Sequence, residues 1–123
     1  FIPKNCSNMF RNCSSLTSLD LSSWDTSQCT TLQGMFLGCT SLITLNLANW
    51  NTSKVRMMSS VFYNCPKLKN LDITGWDTSS VGNMESMFFN NQAGMSLDLS
   101  SFNTQKVTAM NTIFQSCIFS SVP

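Results

Sequence analysis

The chain repeats itself every 26 residues, and that period constrains its fold more than any other feature. Trp24, Trp50, Trp76 and Phe102 share one column, Leu19, Leu45, Leu71 and Leu97 another, and Leu21, Leu47, Ile73 and Leu99 a third. Phe10, Phe36, Phe62, Phe88 and Phe114 form a fourth without exception. No insertion interrupts this register between Cys6 and Cys117. Fixed-period self-similarity marks a solenoid, in which each unit buries its apolar face only against its neighbours. The expected organisation is a single solenoid domain over residues 1–123, with about four repeats and partial terminal ones.

Two apolar periods coexist within each unit. Ser18 to Ser22 alternates, with Leu19 and Leu21 on one side and Ser18, Asp20 and Ser22 on the other, as in a half-buried strand. From Ser27 onward, Cys29, Leu32, Met35, Phe36 and Cys39 fall on one face of a short helix. Asp25, Thr26 and Ser27 would supply turn and cap oxygens at its entry, and Gly38, Asn64 and Asn90 the left-handed residue near its end. The expected fold class is therefore α/β: a leucine-rich-repeat-like solenoid with a parallel sheet on one face and short helices on the other. Strands are predicted around 18–22, 44–48, 70–74 and 96–100, against five helical segments. Gly94 stands where other units have Leu, and a local shift would let Met95 fill that position.

Composition removes several function classes. The chain has 7 basic and 6 acidic residues and no histidine. A net charge of +1 gives no electrostatic footprint for nucleic acid. Without histidine, neither a Ser-His arrangement nor a histidine-bearing zinc site can be built. No apolar run reaches the roughly 18 residues of a membrane span. No nucleophile–base pair or phosphate loop is present, so the expectation is a non-catalytic protein without cofactor or metal. Ser, Thr and Asn make up 45 of 123 residues, while 42% are hydrophobic. That balance suggests a folded, secreted or surface-exposed chain.

The run from Met9-Phe10 through Cys13, Leu16, Leu19-Asp20-Leu21 and Trp24-Asp25-Thr26-Ser27 resembles the BspA-like leucine-rich repeat surface proteins. It is most similar to their 26-residue class, of the mycoplasma lipoprotein type. The resemblance implies a leucine-rich-repeat-like solenoid exported to the cell surface, with roles in adhesion or surface structure. It implies no catalytic residues.

Two columns are candidate interaction surfaces. The outward strand face carries Ser18, Asp20, Thr44, Asn46, Asn70, Asp72, Ser96 and Asp98, a polar surface suited to a glycan or protein. Equivalent positions on adjacent strands lie about 4.8 Å apart, so Asp72 and Asp98 are expected to be neighbouring like charges. Leu37, Tyr63 and Phe89 form a lateral apolar stripe. A minor alternative uses the Thr26, Thr52, Thr78 and Thr104 ladder as a flat ice-binding array.

Cys13, Cys39, Cys65 and Cys117 occupy one interior column, as buried free thiols would. Cys6 and Cys29 are diagonal neighbours, and theirs is the favoured pair if any disulfide forms. Of three sequons, Asn51-Thr52-Ser53 lies in the exposed turn, while those at Asn5 and Asn12 overlap core cysteines.

Both ends of the sequence are apolar, with Phe1 and Ile2 at one and Phe119 and Val122 at the other. The sequence opens in mid-pattern, as an excised segment would. Uncapped solenoid ends tend to stack, and a head-to-tail contact generates an open filament. The first expectation is therefore an extracellular module for adhesion or for protein or glycan interaction at a cell surface or matrix. The alternative is a structural subunit, glycosylated at the sequons, that stacks end to end into an extracellular filament as a homopolymer.

Overall fold

A computed structural model of the chain describes residues 2–120. The 26-residue period appears as a pile of coils, each pairing with the next. Three short strands, β1 (Ser18–Asp20), β2 (Thr44–Asn46) and β3 (Asn70–Asp72), form a parallel sheet in that order. Leu19 pairs with Leu45 and Leu45 with Leu71, so each step advances one period. A second ladder of single parallel bridges joins Thr31 to Met57, Met57 to Asn83 and Asn83 to Ala109.

The helices expected opposite the sheet do not form among the described residues, which corrects the α/β assignment. The segments after Ser27, Ser53 and Ser79 are chains of tight turns. Their backbone N–H groups point alternately in two directions. Leu32, Gly34, Phe36 and Gly38 donate to Met57, Ser59, Val61 and Tyr63 of the next coil, at 3.0, 3.0, 3.0 and 2.8 Å. The intervening Met35, Leu37 and Cys39 donate three residues back, to Leu32, Gly34 and Phe36. An α-helix keeps these bonds within one segment, whereas half of them here join coils.

Left-handed backbone makes this alternation possible. Positive φ recurs at two positions per coil, four residues apart: Asn8 and Asn12, Gly34 and Gly38, Ser60 and Asn64, Ser86 and Asn90, Thr112 and Ser116. A left-handed residue every fourth position is incompatible with a right-handed helix. The second of these columns is the one expected to hold a helix-ending residue; it instead closes one turn of a series. The apolar spacing that mimics a helical face reflects inward-pointing residues between such turns.

The fourth strand, expected at 96–100, is also absent. Asn90 and Gly94 both adopt positive φ, and Met95 rather than residue 94 is fully buried. Leu21 and Leu47 donate across the sheet to Asn46 and Asp72, at 3.0 and 2.8 Å. Ile73, next in that column, makes no such bond to Asp98 among the described residues. The sheet therefore stops at β3.

The core is a set of side-chain columns running along the stack. Trp24, Trp50 and Trp76 stack at centroid distances of 6.3 and 6.1 Å, and Phe36, Phe62 and Phe88 at 6.0 and 5.4 Å. Full burial of each such ring contributes about 1.5–3 kcal/mol, which offsets much of the entropy of ordering a turn-rich chain. Polar atoms inside the core are paired between coils. The buried Thr52 hydroxyl donates to Asp77 O at 2.9 Å and accepts from Asp77 N at 2.8 Å. Thr26 and Thr78 are buried in the same way and bond to the next coil. This threonine column is thus interior at three of its four positions and offers no flat array to solvent there.

Candidate interaction surfaces

The outward strand face consists of short polar side chains held by local hydrogen bonds. Asp20 Oδ1 accepts from Ser22 N and Oγ at 2.9 and 2.6 Å, and Asn46 Oδ1 from Ala48 N at 3.0 Å. Asp72 and Asp98 do the same with Thr74 N and Ser100 N, at 3.0 and 2.9 Å. The same device fixes Asp25, Asn51 and Asp77 in the Trp-side turns, each accepting from the serine two residues on. These bonds, side-chain hydroxyl first and backbone N–H second, hold Asp20, Asp25, Asp72, Asp77 and Asp98 below the usual carboxylate range. All five are therefore anionic near neutrality.

Thr44 and Asn70 are bridged, with Asn70 Nδ2 donating to Thr44 Oγ1 at 3.3 Å. Beyond β3 the face opens into a polar depression of about 230 Å³, where residues 96–101 diverge from the sheet. Asp72, Thr74, Ser96, Asp98 and Ser100 line it over a floor of Leu71 and Leu97. Asp72 and Asp98 thus stand on opposite walls of a depression, rather than on paired strands as expected. This depression was not legible in the sequence, although Gly94 in a leucine column marks the shift that creates it.

The lateral stripe is formed. Tyr63 and Phe89 stack face to face at 4.6 Å, and with Leu37 they are half-buried. Asn5, Asn12 and Asn51 are all exposed, although Cys6 beside the first is fully buried. Asn51 Oδ1 is held by Ser53 Oγ at 2.6 Å.

All six cysteines are free thiols. Cys6 and Cys29 are brought together and both are buried. A hydrogen bond from the Cys6 thiol brings Cys29 down to about 7, while that bond and burial hold Cys6 far above its ordinary range. Cys39 and Cys65 donate to Phe10 O and Phe36 O of the preceding coil, each at 3.1 Å. Burial pushes these two thiols up to about 11 and about 12. The column selects a small donor for a buried carbonyl. No three His, Cys, Asp or Glu side chains converge to hold a metal ion among the described residues.

The faces at the two ends of the stack are open. In the first coil Met9, Phe10, Cys13 and Trp24 are only half-buried, whereas Met35, Phe36, Cys39 and Trp50 in the same columns are covered. In the last coil Met110 is 40% and Phe114 36% exposed. Ile2 is exposed and Phe119 packs edge-on against Phe114 at 5.5 Å. Phe1 and Val122, also expected at end contacts, lie outside the described residues.

These repeated coils define a family already recognised from sequence. Residues 4–121 match the family described as "Mycoplasma protein of unknown function, DUF285", and the chain belongs to that family. Comparison with curated proteins and with solved structures gives no match. No helix among the described residues is long and apolar enough to cross a membrane.

Proposed function

We propose that the chain is a non-catalytic interaction module of a cell surface, related to the BspA-like repeat proteins, and that its outward strand face binds glycan. The depression beside β3 carries this reading. Its walls offer carboxylate and hydroxyl oxygens of Asp72, Thr74, Asp98 and Ser100 to sugar hydroxyls, over an apolar floor that suits a sugar ring face. The oxygens are positioned beforehand by their own i to i+2 hydrogen bonds, so little side-chain entropy is lost on binding.

A neutral-glycan array followed by calorimetry tests this reading. Binding is expected, and it should weaken at least tenfold in Asp72→Ala and Asp98→Ala while Asp25→Ala on the Trp-side turn binds normally. No bound glycan, or equal loss in all three variants, would overturn it.

A further inference from the structure

The hydrogen-bond pattern between coils has a direction. In every coil, four N–H groups on the turn-rich side donate to carbonyls one coil further along the chain. Cys6, Asn8, Phe10 and Asn12 donate to Thr31, Gln33, Met35 and Leu37, at 3.1, 2.9, 2.8 and 2.7 Å. Met84, Ser86, Phe88 and Asn90 donate to Ala109, Asn111, Ile113 and Gln115, at 2.8, 2.9, 3.0 and 2.9 Å. One open face therefore carries donors and the other acceptors. Among the described residues, the N–H groups of Met110, Thr112, Phe114 and Ser116 meet no acceptor. At the opposite face the carbonyls of Asn5, Ser7, Met9 and Arg11, in the acceptor columns, receive no donor.

We propose that these two ladders join one copy of the chain to the next, so that the protein polymerises head to tail. Met110, Thr112, Phe114 and Ser116 donate to Asn5, Ser7, Met9 and Arg11 of the following copy, repeating the bond pattern between internal coils. Phe114 then stacks on the incoming Phe10, as Phe88 stacks on Phe62 at 5.4 Å. Met110 and Met9 are covered like their internal counterparts. The occupant is a second copy because only a coil of this pattern presents four carbonyls at the required spacing beside a half-buried aromatic ring.

Both surfaces are unlike, so the contact is heterologous and the series does not close. The register fixes the step. Pairing Met110 with Asn5 places each copy five whole 26-residue turns after the last, which at ~4.8 Å per turn gives an axial repeat of about 24 Å. On the Trp side, Phe102 and the incoming Trp24 stand two layers apart, so the joint is confined to the ladder side. This assembly is independent of glycan binding at β3, and neither result decides the other.

Sedimentation across a concentration series, with electron microscopy of the unreduced protein, tests the joint. Rods that lengthen with concentration and diffract near 24 Å and 4.8 Å are expected. Met110→Lys places an ammonium in the joint at an already exposed position and should leave monomers with an unchanged melting curve. Added to wild type, it should shorten the rods in proportion to its amount, because its acceptor face still caps a growing end. Monomers at every concentration, closed dimers, or rods of undiminished length in Met110→Lys would each overturn the proposal. Should Met110→Lys melt early, Phe114→Ser is read in the same assay with the same two outcomes.

Discussion

Trp50 Nε1 donates to Leu21 O across one coil at 2.8 Å, and Trp76 Nε1 repeats the bond to Leu47 O at 3.0 Å. The indole thus supplies both core volume and the donor that a buried carbonyl needs. The fourth member of the column is Phe102, which cannot donate, and Ile73 O receives no indole bond. Phe102→Trp is expected to raise stability by about 1 kcal/mol through that bond, while Trp50→Phe should lower it by about 1–3 kcal/mol. Urea titrations of both variants check the pair.

Gly38 has φ of +76°, and a Cβ placed there would lie 2.2 Å from Asn12 Oδ1. Both the backbone and the neighbouring coil therefore resist a side chain. Gly38→Ala should cost at least about 1–2 kcal/mol from the left-handed backbone alone. Gly38→Asn tests the column's own preference, because Asn90 Nδ2 donates to Asn64 Oδ1 at 2.9 Å in the equivalent positions. It should melt above Gly38→Ala.

The thiol of Cys65 satisfies Phe36 O at 3.1 Å while its own proton is held tightly by burial. It should resist a thiol reagent at pH 8 in the folded protein and react only on unfolding. Half-buried Cys13 should label first. Cys65→Ser keeps a donor and should cost less than Cys65→Val, which orphans the carbonyl at about 1–3 kcal/mol. Mass spectrometry of labelled peptides and thermal melts read the two halves.

The carboxyls of Asp20, Asp25, Asp72, Asp77 and Asp98 are held down by hydroxyl and amide donors present only in the folded turns. The folded chain binds protons less readily than the unfolded one. Their stabilisation is therefore complete above the ordinary aspartate range near pH 4 and is lost as pH falls through it. Tm should stay level from about pH 7 to 5 and drop below about pH 4. Asp25→Asn, the residue the chain already carries at Asn51, should retain more of its Tm in acid.

Much of this architecture is legible in the repeat. The columns of Leu19, Trp24 and Phe10 place interior residues and set the register of β1 to β3 without reference to local conformation. The helical reading failed because apolar spacing reports which residues face inward, not how the backbone turns between them. The decisive residues lay elsewhere. Asn8, Gly34, Ser60, Ser86 and Thr112, four positions before Asn12, Gly38, Asn64, Asn90 and Ser116, are poor helix formers at every coil. The polar strand face was readable as alternation, but its depression depends on how the chain bends at Asn90 and Gly94. The paired ladders at the two ends depend on the direction of backbone N–H groups, which side-chain sequence does not encode.

Because every coil meets its neighbours through the same alternating N–H groups, the molecule can change length only in whole units. Duplicating or deleting 26 residues at any internal position preserves each column and each left-handed site. An insertion of any other length must be looped out or sacrifice a coil. Genetic slippage in a gene of this kind would therefore produce a family of rods differing in height by fixed steps, all with the same side faces.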